Sequence, residues 1–310
     1  MEQVIKTAEV IVPLIVGIVA GFFLKKKGVL NTESTDSIKT LINDYLMPLN
    51  LGFSMAIVEL SFSVLMMPVI GFTMNILCFL MAFVMKKLMR EENHYFPYLQ
   101  ATFENGLLGI NLFPVIFPSM NGALLASMDL GFCIFFFFLY LPHMKGSLKG
   151  GDSFLNKMKK VLSNRILQGI LIGLLINVTG LSKLIMGSFA GGIVTATVEL
   201  LTAVIVPMAL FLVGYEISLD RKTMALVLKT SLARILTTGL VCAVMLFILN
   251  ALGILDRDMS YAIIFVSSLP APLMLSVFAG DDRESGYINA QVSTYIAVTI
   301  VTVAVLLMFL

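Results

Sequence analysis

The sequence predicts an all-α polytopic membrane protein, with ten transmembrane helices arranged as a 5+5 inverted repeat and with helices four and nine broken. Three observations lead there. Of the 310 residues, 58% are hydrophobic and only 13% charged, about half the charge that keeps a soluble globular chain wetted. Lys and Arg residues gather in alternate loops. Glycine and proline recur at matching places in the two halves of the chain.

A helix needs about 20 apolar residues to cross ~30 Å of hydrocarbon. Ten runs qualify in order: 8–24, 37–57, 62–85, 97–117, 121–142, 164–180, 192–214, 225–250, 260–279 and 287–310. Short turns separate most of them. The longest polar interval, 143–163, links a first five-helix repeat (1–142) to a second (164–310).

The positive-inside rule tests this count. If the side after span one is the cytoplasm, that side receives fifteen basic residues: Lys25, Lys26, Lys27, Lys86, Lys87, Arg90, Lys145, Lys149, Lys157, Lys159, Lys160, Arg165, Arg221, Lys222 and Arg283. The opposite side receives three, Lys6, Lys183 and Arg257. A wrong count would mix the two sets. The chain is therefore expected in the cell membrane, with both termini extracytoplasmic. Its first basic cluster follows the first apolar run, so that run does not read as a cleaved leader.

The two halves repeat one another. Span one holds GIVAGFFLKKKG (17–28) and span six GILIGLLINVTG (169–180), with glycines at 17, 21, 28 and 169, 173, 180. Pro48 and Pro207 lie centrally in spans two and seven. Spans five and ten open with Gly122/Ala126 and Gly286/Ala290. Five helices per copy put the copies in opposite directions, the arrangement of many secondary transporters. Each glycine pair alone is also what close helix packing requires; the ordered match across both halves carries the argument.

Span four carries ENGLLGINLFPVIFP (104–118) and span nine FVSSLPAPLML (265–275). A lipid-facing span avoids such residues. Proline lacks an amide donor and clashes with the preceding turn, and glycine leaves a helix cheaply. Both helices are expected to break at mid-membrane, where irregular backbone is tolerated around a wet cavity. Half-helix N-termini there suit a carboxylate. Asn105, Gly109, Asn111, Pro114, Ser267, Ser268 and Pro270 are the candidate substrate-binding residues.

At these residues the sequence resembles the auxin efflux carriers, whose bacterial members include malonate and malate permeases and whose fold is similar to that of bile-acid/sodium symporters. Phe103, Asn105, Gly109 and Ile110 match the family's F-x-N-x-x-x-G-I/L-P pattern, and Pro270, Ala271, Ser276 and Ala279 its partner motif. The resemblance spans the whole chain. It implies a scaffold of spans one, two, six and seven, and a transport core of the other six. In that core helices four and nine cross, with Asn105, Gly109 and Pro270 lining the crossing. Asn111 stands where the family usually has proline, the proline coming later at Pro114, and Glu104 stands where proline is also common. The break is accordingly expected to shift by a few residues.

A charge at the bilayer centre costs about 2.5–3.5 kcal/mol on insertion scales. Asp44, Glu104, Asp129 and Glu199 lie inside spans, with Arg234 the one deep base. Buried carboxylates hold protons tightly, so Glu104 and Asp129 are candidates for coupling transport to H⁺. The competing reading makes them structural, satisfied by Arg234 or by backbone amides. Asp44 and Glu199 read as structural. Arg234 either offers an anion a counter-charge or snorkels to the cytoplasmic face, and Asn75 is a weaker core candidate. Phe132 to Phe138 read as packing surface, and the basic interval 145–160 as a topology signal.

The sequence contains no Walker A run, H-E-x-x-H or G-x-S-x-G motif, so ATP drive, a catalytic metal and hydrolase chemistry are not expected. His94 and His143 sit at cytoplasmic helix ends. Cys78, Cys133 and Cys242 lie inside spans and read as small buried side chains. The net charge of +2 offers nothing to nucleic acid. The expectation is a permease for a small organic anion such as a mono- or dicarboxylate. It would be coupled to H⁺ or Na⁺, need no cofactor, and stand in the lipid bilayer alone or as a homodimer. A channel would line a path with polar groups, whereas these cluster at one depth. A non-transporting sensor or partner subunit is the third reading.

Overall fold

The computed structural model describes residues 2–144, 159, 162–217, 224–272, 275 and 282–309. Most of the central linker lies outside the described residues, as do Arg221, Lys222, Ser276 and Ala279. Among the described residues, all regular structure is helical.

Helix α1 (Glu2–Lys26) is the first span. The second is a rod of α2 (Thr32–Leu41), a wide turn at Ile42–Leu46, and α3 (Met47–Ile57). Helix α4 (Phe62–Leu88) is the third. The fourth segment holds α5 (Tyr98–Ala101) and α6 (Ile110–Ile116). The fifth holds α7 (Ala123–Phe135), a wide turn at Phe136–Tyr140, and α8 (Leu141–Met144). In the second half come α9 (Arg165–Val178), the short α10 (Leu181–Met186), α11 (Phe189–Thr202), α12 (Ile205–Glu216), α13 (Met224–Ala251), α14 (Arg257–Ser267) and α15 (Asp282–Met308). Six of these stretches are long and apolar enough to cross a membrane unaided: Thr7–Lys26, Phe62–Leu88, Ala123–Met144, Phe189–Glu216, Met224–Ala251 and Arg283–Met308.

Local chemistry explains the boundaries. Asn31 and Ser34 cap α2 reciprocally, each side chain taking the other's amide at 2.9 Å, which satisfies two otherwise orphaned donors. Asn164 caps α9 and Asp256 caps α14. Pro48 has no amide to donate, and the rod widens just before it, with the Met47 amide reaching back to the Ile42 carbonyl. Gly28 and Gly180 both turn left-handed, at φ +71° and +75°, and so close α1 and α9 in the same way. The seventh segment starts at Phe189, earlier than the sequence boundary, and pauses at Ala203–Val204 before Pro207. Helix α14 ends at Ser267, and much of the rest of the expected run to 279 lies outside the described residues.

Three helix pairs pack most closely: α1 with α12, α3 with α9, and α4 with α7. Glycine sets each approach. A Cβ on Gly214 would fall 2.0 Å from the Ile18 carbonyl oxygen, one on Gly173 2.0 Å from that of Gly52, and one on Gly131 2.0 Å from that of Pro68. Backbone therefore touches backbone, where any side chain would force the helices apart. The first two pairs each join a helix from before the central linker to one from after it.

Polar contacts sort the helix ends into two sets. At one end Lys25 donates to the Tyr215 carbonyl at 2.7 Å, Lys39 pairs with Glu216, and Lys229 pairs with Glu91. At the other, Asn177 donates to the Met55 and Val58 carbonyls, Ser63 bonds Asp256, and Asp258 accepts from the Asn121 amide. The buried core runs between the two sets, centred on α4, α7 and the segments around α5, α6 and α14.

Candidate functional site

Helical hydrogen bonding in the fourth segment stops at Ala101 and resumes at Asn105. Thr102 between them is extended, at φ −148° and ψ 173°. The Glu104 amide, which no helix turn can use here, donates to the Pro270 carbonyl at 2.8 Å. Pro270 lies in the non-helical stretch that follows α14. The two irregular segments thus bond to each other directly, main chain to main chain. The Glu104 carboxylate turns back and accepts from the Leu107 amide at 3.2 Å, capping the next turn. The interruption lies ten residues before Pro114, which sits inside α6. Proline does not place it; the Glu104–Asn105 cap and the Pro270 contact do.

Asn105 is the polar centre of this junction and is 1% exposed. Its Nδ2 donates to the Asp129 carboxylate and to the Leu125 carbonyl, both at 3.0 Å. Its Oδ1 is buried without a hydrogen-bond partner among the described residues. A Cβ on Gly109 would lie 2.3 Å from that Oδ1, so glycine at 109 makes room for the amide. Asp129 is buried on α7 and takes a weaker contact from the Cys133 thiol at 3.7 Å.

Arg234, on α13, is fully buried. It does not snorkel to the cytoplasmic face, one of the two readings of its position. Nor does it satisfy Asp129. Its Nη1 donates to the Leu99 carbonyl, and its Nη2 to the carbonyls of Thr102 and Leu269, both at 2.8 Å. The guanidinium lies between the rings of Phe103 and Tyr295, 5.3 and 4.9 Å from their centroids.

The remaining sequence candidates divide. Ser267 and Ser268 lie beside the junction, yet each hydroxyl donates within its own turn, to Ile263 and Phe265. The Ser268 carbonyl accepts from Thr299 at 2.5 Å. Asn111 spends its Nδ2 on the Gly106 and Leu107 carbonyls and on the Met47 sulfur at 3.1 Å. Pro114 faces Gly122, away from the junction. Asn75 is fully buried on α4, its Nδ2 held by Gly71 and its Oδ1 without a partner among the described residues. Asp44 and Glu199 are exposed, Asp44 at the wall of a cavity of about 480 Å³ lined by α3, α9 and α11.

Sequence reading passed over a polar seam between α13 and α15. Thr230 bonds Tyr287 at 2.6 Å and Thr238 bonds Tyr295 at 3.2 Å. Gln291 lies one turn from each tyrosine, fully buried, with both amide atoms unpartnered among the described residues. Gln100 accepts from Thr237 at 2.9 Å. The signal was present as i, i+4 spacing: Thr230, Arg234, Thr238 on one span and Tyr287, Gln291, Tyr295 on the other.

Leu108, Leu112 and Ile116 pack towards Leu14, Leu210 and Val213 around an apolar cavity of about 30 Å³.

A family model described as membrane transport protein matches residues 7–310. No curated protein sequence matches the chain.

Proposed function

Because the chain belongs to the membrane transport protein family, the family of the auxin efflux carriers, and is thus a multi-pass membrane protein, we propose that it is a secondary carrier. Its substrate is a small organic anion, a mono- or dicarboxylate, and it works by alternating access. The observation that carries the reading is the junction of Glu104 with Pro270, with Asn105, Asp129 and Arg234 gathered around it. Several buried polar groups, the interrupted fourth segment and the end of α14 meet inside an apolar protein, a costly arrangement that a solute site justifies.

The reading takes the ten spans as two inverted five-helix copies. The reciprocal packing of α1 on α12 and of α3 on α9 supports it, as do the matching left-handed glycines 28 and 180. The sorting of helix ends into two sets agrees with ten crossings and with both termini outside. Spans one, two, six and seven serve as the scaffold, and the others as the moving core. The apolar contact of α6 with α1 and α12 is where core slides against scaffold.

Asp129 couples transport to protons in this reading. Its carboxylate now accepts from the Asn105 amide. A proton on that oxygen turns an acceptor into a donor, so the amide must reverse to present its oxygen. The protonation state is thereby passed to the first turn after the interruption, where the anion binds.

Uptake of radiolabelled mono- and dicarboxylates into proteoliposomes tests this. Saturable uptake that responds to an imposed pH gradient is expected, and Asp129→Asn is expected to keep binding but lose the pH response. Unsaturable ohmic current would instead identify a channel. No flux with any organic acid would end the carrier reading.

A further inference from the structure

Among the described residues, Arg234 is the buried base. It is fully buried in the core. The ion pairs among the described residues are Lys39 with Glu216 and Lys229 with Glu91, and no described carboxylate pairs with Arg234. An uncompensated cation at this depth would be costly, so what it touches must repay the cost.

Its guanidinium donates to main-chain carbonyls, Leu99 and Thr102, where α5 ends, and Leu269, just beyond the end of α14, with the Tyr295 side chain beside it. Carbonyls at and just beyond helix ends have no intrahelical donor and present partial negative charge. Two such ends face one another here, which is repulsive unless a cation lies between them. Carbonyl oxygens are also what strips and holds a hard metal cation in a protein interior. Arg234 fills that role covalently, with the rings of Phe103 and Tyr295 fixing the guanidinium plane through cation–π attraction.

We infer that Arg234 is the resident cation of the core: a positioning residue that ties the interrupted fourth segment to the end of α14 through their carbonyl ends and makes a bound alkali-metal ion unnecessary there. Its uptake readout rests on the carrier reading above, whereas its stability readout does not. The junction keeps its geometry whether or not Na⁺ is present, and proton coupling at Asp129 needs no metal partner.

The test compares the full chain in sodium, potassium and choline chloride, by thermal unfolding in detergent and by uptake in proteoliposomes. The wild type is expected to give one unfolding temperature and one uptake rate in all three salts. A rise with sodium in either quantity overturns the inference. Arg234→Ala is expected to lose uptake by about 30-fold or more, as loss of one partner in a buried charge-assisted network does. Guanidinium chloride at millimolar concentration, far below denaturing levels, should restore a measurable part of that uptake and raise the unfolding temperature of the variant. Arg234→Met fills the volume without the charge and should stay inactive with or without guanidinium. Wild-type behaviour of either variant overturns the inference, as does a folded Arg234→Ala that guanidinium fails to restore. Should Arg234→Ala not fold, the wild-type salt series decides. If the wild type transports no organic acid, the carrier reading fails while the unfolding comparison still judges the role of Arg234.

Discussion

Gly109→Ala, set against Gly106→Ala, is the sharpest perturbation available. Both glycines lie in the turn that restarts the fourth segment, three residues apart, and the two substitutions are chemically identical. A Cβ at 106 meets nothing within 4 Å. A Cβ at 109 meets Asn105 Oδ1 at 2.3 Å and Leu269 Cδ1 at 2.9 Å. Both obstacles are ends of side chains, so the fold can accommodate the methyl by rotating them. The rotation is what matters. Asn105 can clear the methyl only by swinging its amide, and Nδ2 then leaves the Asp129 carboxylate and the Leu125 carbonyl.

A hydrogen bond to a charged group contributes about 1.5–3 kcal/mol and a neutral one about 0.5–1.5. Polar contacts within membranes average nearer 0.6 kcal/mol, because the unfolded reference also finds partners. Taking about 2 kcal/mol for the pair, a site that needs this amide in place should slow by roughly 30-fold. Global stability should fall by about the same 2 kcal/mol and no more, since nothing in the backbone has to move. Uptake in proteoliposomes gives the first quantity and thermal unfolding in detergent the second. Gly106→Ala should match the wild type in both. Normal uptake by Gly109→Ala would refute the placement of the Asn105 amide in the site. Equal damage from both variants would mean that only helix propensity was being measured.

Other predictions concern the frame around the site. Gly214→Ala and Gly173→Ala each drive a Cβ to 2.0 Å from a carbonyl oxygen of the facing helix. Backbone cannot rotate away, so each should destabilise by about 1–3 kcal/mol, read as a lowered unfolding temperature. Burial opposes ionisation of Glu91, but hydrogen bonds from Lys229 and from the Asn93 amide outweigh it and hold the carboxyl below its ordinary value. A depressed acid contributes stability above its unfolded pKa and loses it as pH falls through the folded one. Glu91→Gln should therefore cost less than about 1 kcal/mol at neutral pH, a difference that disappears under acid conditions; a constant difference across the pH range would refute the ion pair. A double-mutant cycle of Thr230→Val with Tyr287→Phe should return a coupling of about 0.6 kcal/mol and at most about 1.7, measured by thermal unfolding, and zero coupling would remove that bond from the seam.

The sequence made the frame legible because packing in a membrane leaves residue-type signatures. Gly17, Gly21, Gly169 and Gly173 stood out by their spacing, and the six stretches long and apolar enough to cross a membrane fall on six of the expected apolar runs. The junction was legible only in outline. Pro114 is the loudest helix breaker in the quoted stretch, yet the chain absorbs it inside α6, and the interruption falls at 102–104. What sets it there is a main-chain bond from Glu104 to Pro270, and a main-chain bond is indifferent to side-chain type. Arg234 is the same case carried further. Its three acceptors are carbonyls of Leu99, Thr102 and Leu269, residues that nothing in their side chains marks as ligands. From the sequence, an arginine ten residues into a span allows both snorkelling and a counter-charge role. Only the fold, by stopping α5 and α14 against each other, creates the carbonyl ends that hold it. Groups recognised through side chains can be read from a chain, whereas groups recognised through interrupted backbone wait for the structure; the centre of this protein is built from the second kind.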